Sequence, residues 1–291
     1  MLKIGILLNR ITWEIKQIIK ELEKNQVKFK LINNQEIYYT ISKQKDLEND
    51  IDIIIERSLS YLRGLYSCAV LELKGFKVIN NFECLNISGN KLLTSLKFIE
   101  NEIPTPETCL AFKKDPALRC VEEKIKYPAV LKPIIGSWGR LIAKLENHNS
   151  AVSNLESREI MGNILQKIYY IQKFIETEES GSSNPTDIRV FVVGNECVAA
   201  MGRFHPEKDF RSNIAVGGEA RPIEITPILK SLSLKASEAV KGEIVGVDIM
   251  NDKEKLKVIE VNGTPQFRGV ATATNINVAG KIIDYILDKY S

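Results

Sequence analysis

Three side chains near the end of the chain have oxygens that could hold a metal ion. Asp248 interrupts the apolar run Val-Gly-Val-Asp-Ile-Met, and Glu260 and Asn262 end the run Lys-Val-Ile-Glu-Val-Asn. Because side chains alternate along a strand, Glu260 and Asn262 share a face, and a turn over 251–255 would bring Asp248 to the same region. Two carboxylates and an amide oxygen suit Mg²⁺, which keeps its other positions for water and phosphate. A solvent-facing or ion-paired strand end is the alternative.

A metal of this kind implies phosphates, and a strand with a glycine-containing loop could meet them. Lys132 ends the apolar run Ala-Val-Leu-Lys, where a buried ammonium group is costly unless an anion contacts it. Gly136 and Gly139 leave backbone N–H groups open to a phosphate, and Ser137 adds a hydroxyl donor. A tight hairpin turn is the alternative. Because a strand follows the loop, it is neither a P-loop nor a dinucleotide-binding turn, which both require a helix there.

Two arginines on later strands could contact the same phosphates. Arg189 and Arg203 would be expensive to bury without anions, and they suit a γ-phosphate or an acyl phosphate. An exposed ladder with Asp187 explains the spacing equally well. His148 and His205 lie in polar loops with no nearby Ser, Cys or metal partner, so Ser/His/Asp and Cys/His hydrolase mechanisms are disfavoured.

The elements that must position these residues differ between the two parts of the chain. Over the first part, strands are predicted at 3–8, 28–32, 51–55 and 78–80, and helices at 13–25 and 66–74. This alternation predicts an open α/β layer with parallel strands. Later strands are predicted at 129–132, 141–145, 169–175, 188–193, 197–203, 244–249 and 256–261, with helices at 90–101, 118–125, 228–241 and 278–290. That second pattern predicts an α+β arrangement with mainly antiparallel strands.

Bulk composition excludes several classes of protein. With 291 residues, 44% hydrophobic and 26% charged, the chain is long enough for a real core, and its net charge of +3 does not require nucleic acid. Five widely spaced cysteines without a CxxC pair indicate thiols in a reducing cytosol. The apolar run at 1–8 is too short for a signal peptide or a membrane span. These features predict a cytoplasmic protein without a membrane or nucleic-acid partner.

The order of the candidate residues resembles the ATP-grasp superfamily over essentially the whole chain. The run Lys-Pro-Ile-Ile-Gly-Ser-Trp-Gly-Arg-Leu at 132–141, with the motifs at 158–162, 187–189 and 217–218, is similar to the LysX/ArgX ligases, close to the RimK group. The resemblance implies an α/β and α+β ATP-grasp fold. Its parts would be an N-terminal pre-ATP-grasp α/β domain at 1–88, a central lid subdomain at 89–175 and a C-terminal subdomain with the metal site at 176–291.

The resemblance also implies roles for the matching positions. Lys132 and Arg203 would act in catalysis, and Asp248, Glu260 and Asn262 would hold two Mg²⁺ ions. ATP would contact Lys91, Lys132, Gly136, Ser137, Trp138, Gly139, Arg140, Leu141, Ile142, Gln172, Lys173, Phe174, Ile175, Asp187, Arg189 and Asn213. The amino-acid substrate would contact Arg203, Ile214, Ala215, Gln266, Phe267, Arg268, Gly269 and Val270.

The implied reaction has two steps. ATP phosphorylates the γ-carboxyl of the C-terminal glutamate of a small acidic carrier protein, LysW, and the α-amine of an amino acid then attacks the acyl phosphate. The Gly269-Val270 pair is closer to the Gly-Phe of glutamate ligases, which act in arginine biosynthesis. Val270 leaves more volume than Phe, so 2-aminoadipate, used in lysine biosynthesis, or both amino acids stay open. Gln266 stands where Glu is usual in the family.

There are two alternative functions, and an oligomeric state is also expected. A RimK-like enzyme would add glutamate to a ribosomal or other protein C-terminus, although the Gly-Ser-Trp-Gly-Arg loop speaks against it. A catalytically silent ATP-grasp subunit would lack a metal ligand or Arg203, and neither is missing. The resemblance implies a homodimer or homotetramer, and the loop at 177–186 departs from the family.

Overall fold

The computed structural model describes residues 2–44, 50–136, 139–176, 185–204, 219–252 and 255–290. Within them, the strands are β1 (Lys3–Leu8), β2 (Lys28–Asn33), β3 (Ile53–Glu56), β4 (Lys77–Ile79), β5 (Thr108–Ala111), β6 (Ala129–Lys132), β7 (Ala143–Leu145), β8 (Tyr169–Lys173), β9 (Asp187–Val193), β10 (Glu196–Phe204), β11 (Glu219–Pro222), β12 (Ile244–Asp252) and β13 (Lys255–Asn262). The helices are α1 (Trp13–Lys24), α2 (Tyr61–Leu73), α3 (Phe82–Ser88), α4 (Lys91–Glu100), α5 (Lys114–Cys120), α6 (His148–Met161), α7 (Pro227–Ala239), α8 (Arg268–Thr274) and α9 (Val278–Tyr290). A π-helical turn, Val121–Ile125, extends α5.

The first four strands form a parallel sheet in the order β2-β1-β3-β4, which confirms the predicted α/β layer. β1 and β3 are almost entirely buried, as expected when helices cover both faces of a parallel sheet. The structure departs from the prediction at two helices. α2 begins at Tyr61 rather than at residue 66, and α3, whose N-cap Asn81 accepts a hydrogen bond from the Cys84 amide, was not predicted.

The central sheet is antiparallel, in the order β5-β8-β6-β7. β6 and β7 pair as the predicted hairpin, but β7 begins only at Ala143. Leu141 and Ile142, predicted to lie in this strand, therefore belong to the loop, and Leu141 has a positive φ of 59°. β5 and α6 were not predicted; α6 starts with a capping box between Asn147 and Ser150.

The third sheet is also antiparallel, in the order β11-β10-β9-β12-β13. The predicted hairpin between β9 and β10 is confirmed, and its turn places Gly194 at φ +58°, a conformation that glycine adopts without strain. One face packs on α7. The other face shares a core with α1, α9 and the parallel sheet, in which Ile4, Phe191 and Ile282 are fully or almost fully buried. This shared core fixes the parallel sheet against the antiparallel one.

The cysteines differ from the expectation at one pair. Cys109 and Cys120 are joined by a disulfide with a Cα–Cα distance of 6.7 Å, so the interpretation of all five cysteines as thiols is wrong for these two. The spacing of 11 residues gave no hint because the pairing depends on α5 packing beside β5. Cys68 and Cys84 are buried thiols, and Cys197 is half-buried. Among the described residues, no helix is both long enough and apolar enough to cross a bilayer.

Candidate active site

The register of the third sheet brings the three candidate metal ligands together. Asp248 of β12 lies opposite Glu260 of β13, and Asn262 lies opposite Gly246 two residues away. The Asn262 side-chain nitrogen lies 3.4 Å from Asp248 Oδ2. The strand pairing predicted from the sequence therefore produces one cluster of two carboxylates and an amide.

Two arginines, the half-buried Arg189 and the buried Arg203, neutralise Asp248. Arg189 donates from Nε to Oδ1 and from Nη2 to Oδ2, both at 2.6 Å, and Arg203 Nη2 lies 3.1 Å from Oδ1. Arg203 also donates from Nε to Asp187 Oδ1, its neighbour across β9 and β10. Both arginines face inward, as the phosphate hypothesis requires. The ladder with Asp187 is also present, but it is buried rather than exposed.

This arrangement fixes the ionisation of Asp248. Burial alone would raise the pKa of its carboxyl group, but the guanidinium groups of Arg189 and Arg203 hold that pKa well below its ordinary value. Burial would likewise lower the pKa of Arg189, and the charge of Asp248 raises it instead. The Asp248 carboxylate is therefore charged throughout the range in which enzymes work.

The donor set fits a magnesium ion. Two carboxylates and an amide oxygen on adjacent strands are the hard ligands that Mg²⁺ prefers. At Asp248, the two arginines supply the positive charge that a bound metal would otherwise supply. Glu260 is less committed, because its one ion pair within the described part of the chain is with Lys91, at 3.3 Å.

Lys91 connects the carboxylates to the glycine loop. It is the first residue of α4, whose N-cap Asn90 accepts a hydrogen bond from Leu92 N at 3.0 Å. Lys91 Nζ lies 3.3 Å from Glu260 Oε2 and donates to the Gly136 carbonyl at 3.1 Å. One ammonium group therefore touches both the candidate metal site and the start of the loop.

Lys132 lies at the end of β6 against the side chain of Gln172. Its Nζ donates to Gln172 Oε1 at 2.6 Å, and Gln172 in turn donates to Thr108 Oγ1 at 3.1 Å and to the Tyr170 hydroxyl at 3.3 Å. Burial lowers the pKa of Lys132 to about 8, a shift to which Lys91 adds and which Glu260 opposes. This contact between Lys132 and the Gln172 side chain was not predicted, because only backbone groups of this strand were expected at the site.

The remaining nucleotide candidates are divided between described and undescribed parts of the chain. Gly139 (φ +67°), Arg140, Leu141 and Ile142 form the loop before β7. Ser137, Trp138 and Asn213 lie outside the described residues, as do the substrate candidates Ile214 and Ala215 and most of the loop 177–186.

In the segment predicted to meet adenine, residues 172–175, two backbone N–H groups already donate hydrogen bonds within the protein. Lys173 N donates to the Glu107 carbonyl at 2.8 Å and Phe174 N to the Pro128 carbonyl at 3.3 Å. Ile175, the next residue, is buried. A contact between adenine and the N–H groups of Lys173 or Phe174 would therefore require these bonds to exchange.

The candidates for amino-acid specificity divide into buried and accessible residues. Phe267 and Val270 are buried in the core shared by the parallel and antiparallel sheets, where Phe267 stacks edge-on against Trp13 and Phe191 at 5.8 and 5.9 Å. Arg268 is exposed, and Gln266 and Gly269 are half-buried, at or beside the start of α8. Val270 therefore lines packed core rather than an open pocket.

Four buried polar residues of the N-terminal part were missed by the sequence reading. They contact the segment after Asn262 and are Glu14, Glu56, Arg57 and Asn80. A signal was present for three of them, because they stand at or just past the carboxyl ends of parallel strands, where open α/β sheets place their functional groups.

An ATP-dependent enzyme that forms amide bonds is the class indicated by this fold and by the meeting of a lysine-flanked loop with paired carboxylates. A model described as the RimK-like ATP-grasp domain matches residues 88–286, and one described as the LysX preATP-grasp domain matches residues 4–87. The chain therefore belongs to the RimK-like ATP-grasp ligases with a LysX-type pre-ATP-grasp domain. ATP-grasp enzymes of this kind bind ATP with Mg²⁺.

Individual relatives extend over the full length. The chain is 35% identical over 291 residues to the glutamate–LysW ligase ArgX of Sulfurisphaera tokodaii, covering 100% of both chains. It is 34% identical to the α-aminoadipate–LysW ligase LysX of Saccharolobus solfataricus, covering 94% of this chain and 96% of that one. The crystal structure of a RimK domain ATP-grasp protein from Sphaerobacter thermophilus superposes with a TM-score of 0.78 at 19% identity, covering 98% and 99% of the two chains.

Proposed function

We propose that this enzyme joins the α-amine of glutamate to the γ-carboxyl of the C-terminal glutamate of the carrier protein LysW, through an acyl phosphate. The observation that carries the proposal is the position of Lys91, which touches Glu260 at 3.3 Å and the Gly136 carbonyl at 3.1 Å. A triphosphate lying between the loop and the carboxylates would meet Lys91 and Lys132 together. The names of the full-length relatives supply the carrier.

Each group has a defined task in the proposal. Lys91, Lys132 and the loop residues bind the phosphates of ATP, and Asp248, Glu260 and Asn262 would hold Mg²⁺. When bound, magnesium neutralises charge on the transferring phosphoryl group. Arg203 stabilises the negative charge that develops as the carrier carboxylate attacks the γ-phosphorus and ADP leaves. The amine nitrogen of the amino acid then forms a bond to the acyl carbon, phosphate leaves, and the amine loses a proton.

The second candidate is ligation of 2-aminoadipate, alone or beside glutamate. The ArgX and LysX relatives are almost equally similar, at 35% and 34% identity. Val270 is buried, so its difference from Phe would act through packing rather than through direct contact with the substrate. A cytoplasmic location, a homo-oligomer and the boundaries 1–88, 89–175 and 176–291 remain predictions.

The decisive experiment measures ADP release by the purified enzyme with ATP, Mg²⁺, LysW and each amino acid. We expect release that requires both LysW and an amino acid, with a higher kcat/KM for glutamate. A higher value for 2-aminoadipate would select the second candidate. Absence of LysW-dependent release with either amino acid would refute both, and glutamate addition to a ribosomal protein without LysW would support the RimK-like function instead.

A further inference from the structure

Residues 263–268 follow the last candidate metal ligand. Side chains from the N-terminal part of the chain form hydrogen bonds with this segment. Asn80 Nδ2 donates to the Gly263 carbonyl at 2.6 Å, while the Asn80 side-chain oxygen accepts from the amides at the start of β12. Next along the segment, the Thr264 hydroxyl donates to Glu56 Oε2 at 2.6 Å. The first two residues of the segment therefore each have a buried polar partner from the parallel sheet.

The same pattern continues through the following residues. Arg57 Nη2 donates to the Pro265 carbonyl at 2.8 Å. With its amide oriented to donate, Gln266 places its nitrogen 3.0 and 2.8 Å from the two oxygens of Glu14, and the Arg268 amide donates to Glu14 Oε1 at 3.3 Å. Pro265, Gln266 and Arg268 thus depend on two charged side chains, Arg57 and Glu14.

These partners are buried at a cost that apolar packing would avoid. The side chains of Glu14, Glu56, Arg57 and Asn80 belong to residues only 3 to 4% exposed. Burial raises the pKa of Glu56 and lowers that of Arg57, while the nearby carboxylates of Glu56 and Glu14 favour the charged guanidinium. A hydrophobic contact would hold the two sheets together without this desolvation cost. Directional bonds add what apolar contacts lack, namely a defined orientation for the backbone and for the Gln266 amide.

We propose that Glu14 and Arg57 are positioning residues for the amine-donating amino acid, and that they act through Gln266 and Pro265. This rests on the proposed function and on the contact between Gln266 and the amino acid that the family resemblance implies. When the nitrogen of the Gln266 amide donates to Glu14, the amide oxygen is left as an acceptor. An amine is a hydrogen-bond donor, so this oxygen can orient the amine of the substrate. The pair therefore serves the second step, attack of the amine on the acyl phosphate, and not the phosphorylation of the carrier.

Hydroxylamine separates the two steps. In the absence of an amino acid, it attacks the acyl phosphate at carbon, forming a C–N bond and releasing phosphate, so the carrier hydroxamate reports activation alone. Because hydroxylamine is small, it needs no amino-acid subsite. The variants are Glu14→Gln, which cannot accept all three hydrogen bonds, Arg57→Met, and Arg57→Lys as the conservative replacement.

We expect Glu14→Gln and Arg57→Met to raise the KM for glutamate about tenfold, equivalent to about 1.4 kcal/mol. LysW-dependent hydroxamate formation and the KM for ATP should stay within about twofold of wild type, and Arg57→Lys should recover part of the loss. The matched control is Glu83→Gln, which removes the exposed ion pair between Glu83 and Lys241 at 2.7 Å, also a link between the N-terminal part and the turn before β12. This control should leave both reactions unchanged.

Two results would overturn the proposal. Equal loss of hydroxamate and amide formation would give Glu14 and Arg57 a general structural role, and an unchanged KM for the amino acid in both variants would leave them without a role in the second step. If Glu14→Gln does not fold, Glu14→Asp, which keeps the charge but shortens the reach, is tested by the same comparison. Failure of the wild-type enzyme to form hydroxamate or amide with LysW would instead refute the proposed function itself.

Discussion

Asp248→Asn and Glu260→Gln each replace one candidate carboxylate ligand by a neutral amide, yet we expect very different effects on stability. Asp248 pairs with both Arg189 and Arg203 in a buried environment. Removing its charge leaves Arg189 without its bidentate partner, and breaking a buried pair in this way costs about 3–5 kcal/mol. Glu260 is about one-third exposed and pairs with Lys91 alone among the described residues, so its loss should cost about 0–1 kcal/mol.

Activity should not follow stability. In both variants a neutral amide replaces a charged carboxylate ligand of Mg²⁺, and we expect each to lower LysW-dependent ADP release by roughly a hundredfold or more, since metal stabilisation of transferring phosphate is worth several kcal/mol. The stabilities are compared by urea unfolding midpoints at a constant m-value, and the activities over a series of Mg²⁺ concentrations.

A double variant separates charge compensation from metal binding. Asp248→Asn with Arg189→Gln removes both halves of the strongest ion pair, so most of the unfolding free energy should return while turnover stays lost. The reasoning about compensation would be refuted by an Asp248→Asn protein as stable as wild type. The metal assignment would be refuted by a Glu260→Gln enzyme with wild-type turnover and Mg²⁺ dependence.

Two other predictions concern Lys132 and Val270. Because burial lowers the pKa of Lys132 to about 8, its ammonium group is charged below that pH and neutral above it; kcat/KM for ATP, which reports the free enzyme, should therefore fall as pH rises through about 8. Lys132→Arg should move this fall to higher pH, and an identical pH profile would exclude Lys132 as its source. Val270→Phe overfills a fully buried site and should lower the free energy of unfolding by about 1–3 kcal/mol, measured by urea denaturation. An unchanged unfolding midpoint would show that open pocket space adjoins Val270 after all.

The sequence predicted the fold best where one signal dominates. Continuous apolar runs gave β1, β3 and β6, and their alternation with helices gave the parallel layer. The elements that were missed, α3, α6 and β5 among them, have weak patterns or depend on distant partners. α6 has few buried positions, and β5 is a strand only because it pairs with β8. Such pairings depend on tertiary contacts and cannot be predicted from local periodicity.

The proximity of the three candidate ligands could be predicted from the sequence, but the balance of charge around them could not. Alternation along β13 was enough to bring Glu260 and Asn262 to one face. It did not show that Asp248 opposes Arg189 on β9, because strand order is not encoded locally. For the same reason, the partners of Gln266 were invisible: Glu14 lies 252 positions earlier in the chain.

The ion pairs around Asp248 also change which ligand can be inferred from Arg189 and Arg203. From the sequence, two inward-facing arginines favoured an external anion while a ladder with Asp187 stayed open, and the structure gives each arginine an internal carboxylate. Four cationic side chains, Lys91, Lys132, Arg189 and Arg203, meet three carboxylates, those of Asp187, Asp248 and Glu260. A metal ion bound alone would be repelled by these cations, and a triphosphate bound alone would be repelled by the carboxylates. A magnesium–nucleotide complex brings both charges at once, so it can replace partners on both sides without leaving a buried charge uncompensated.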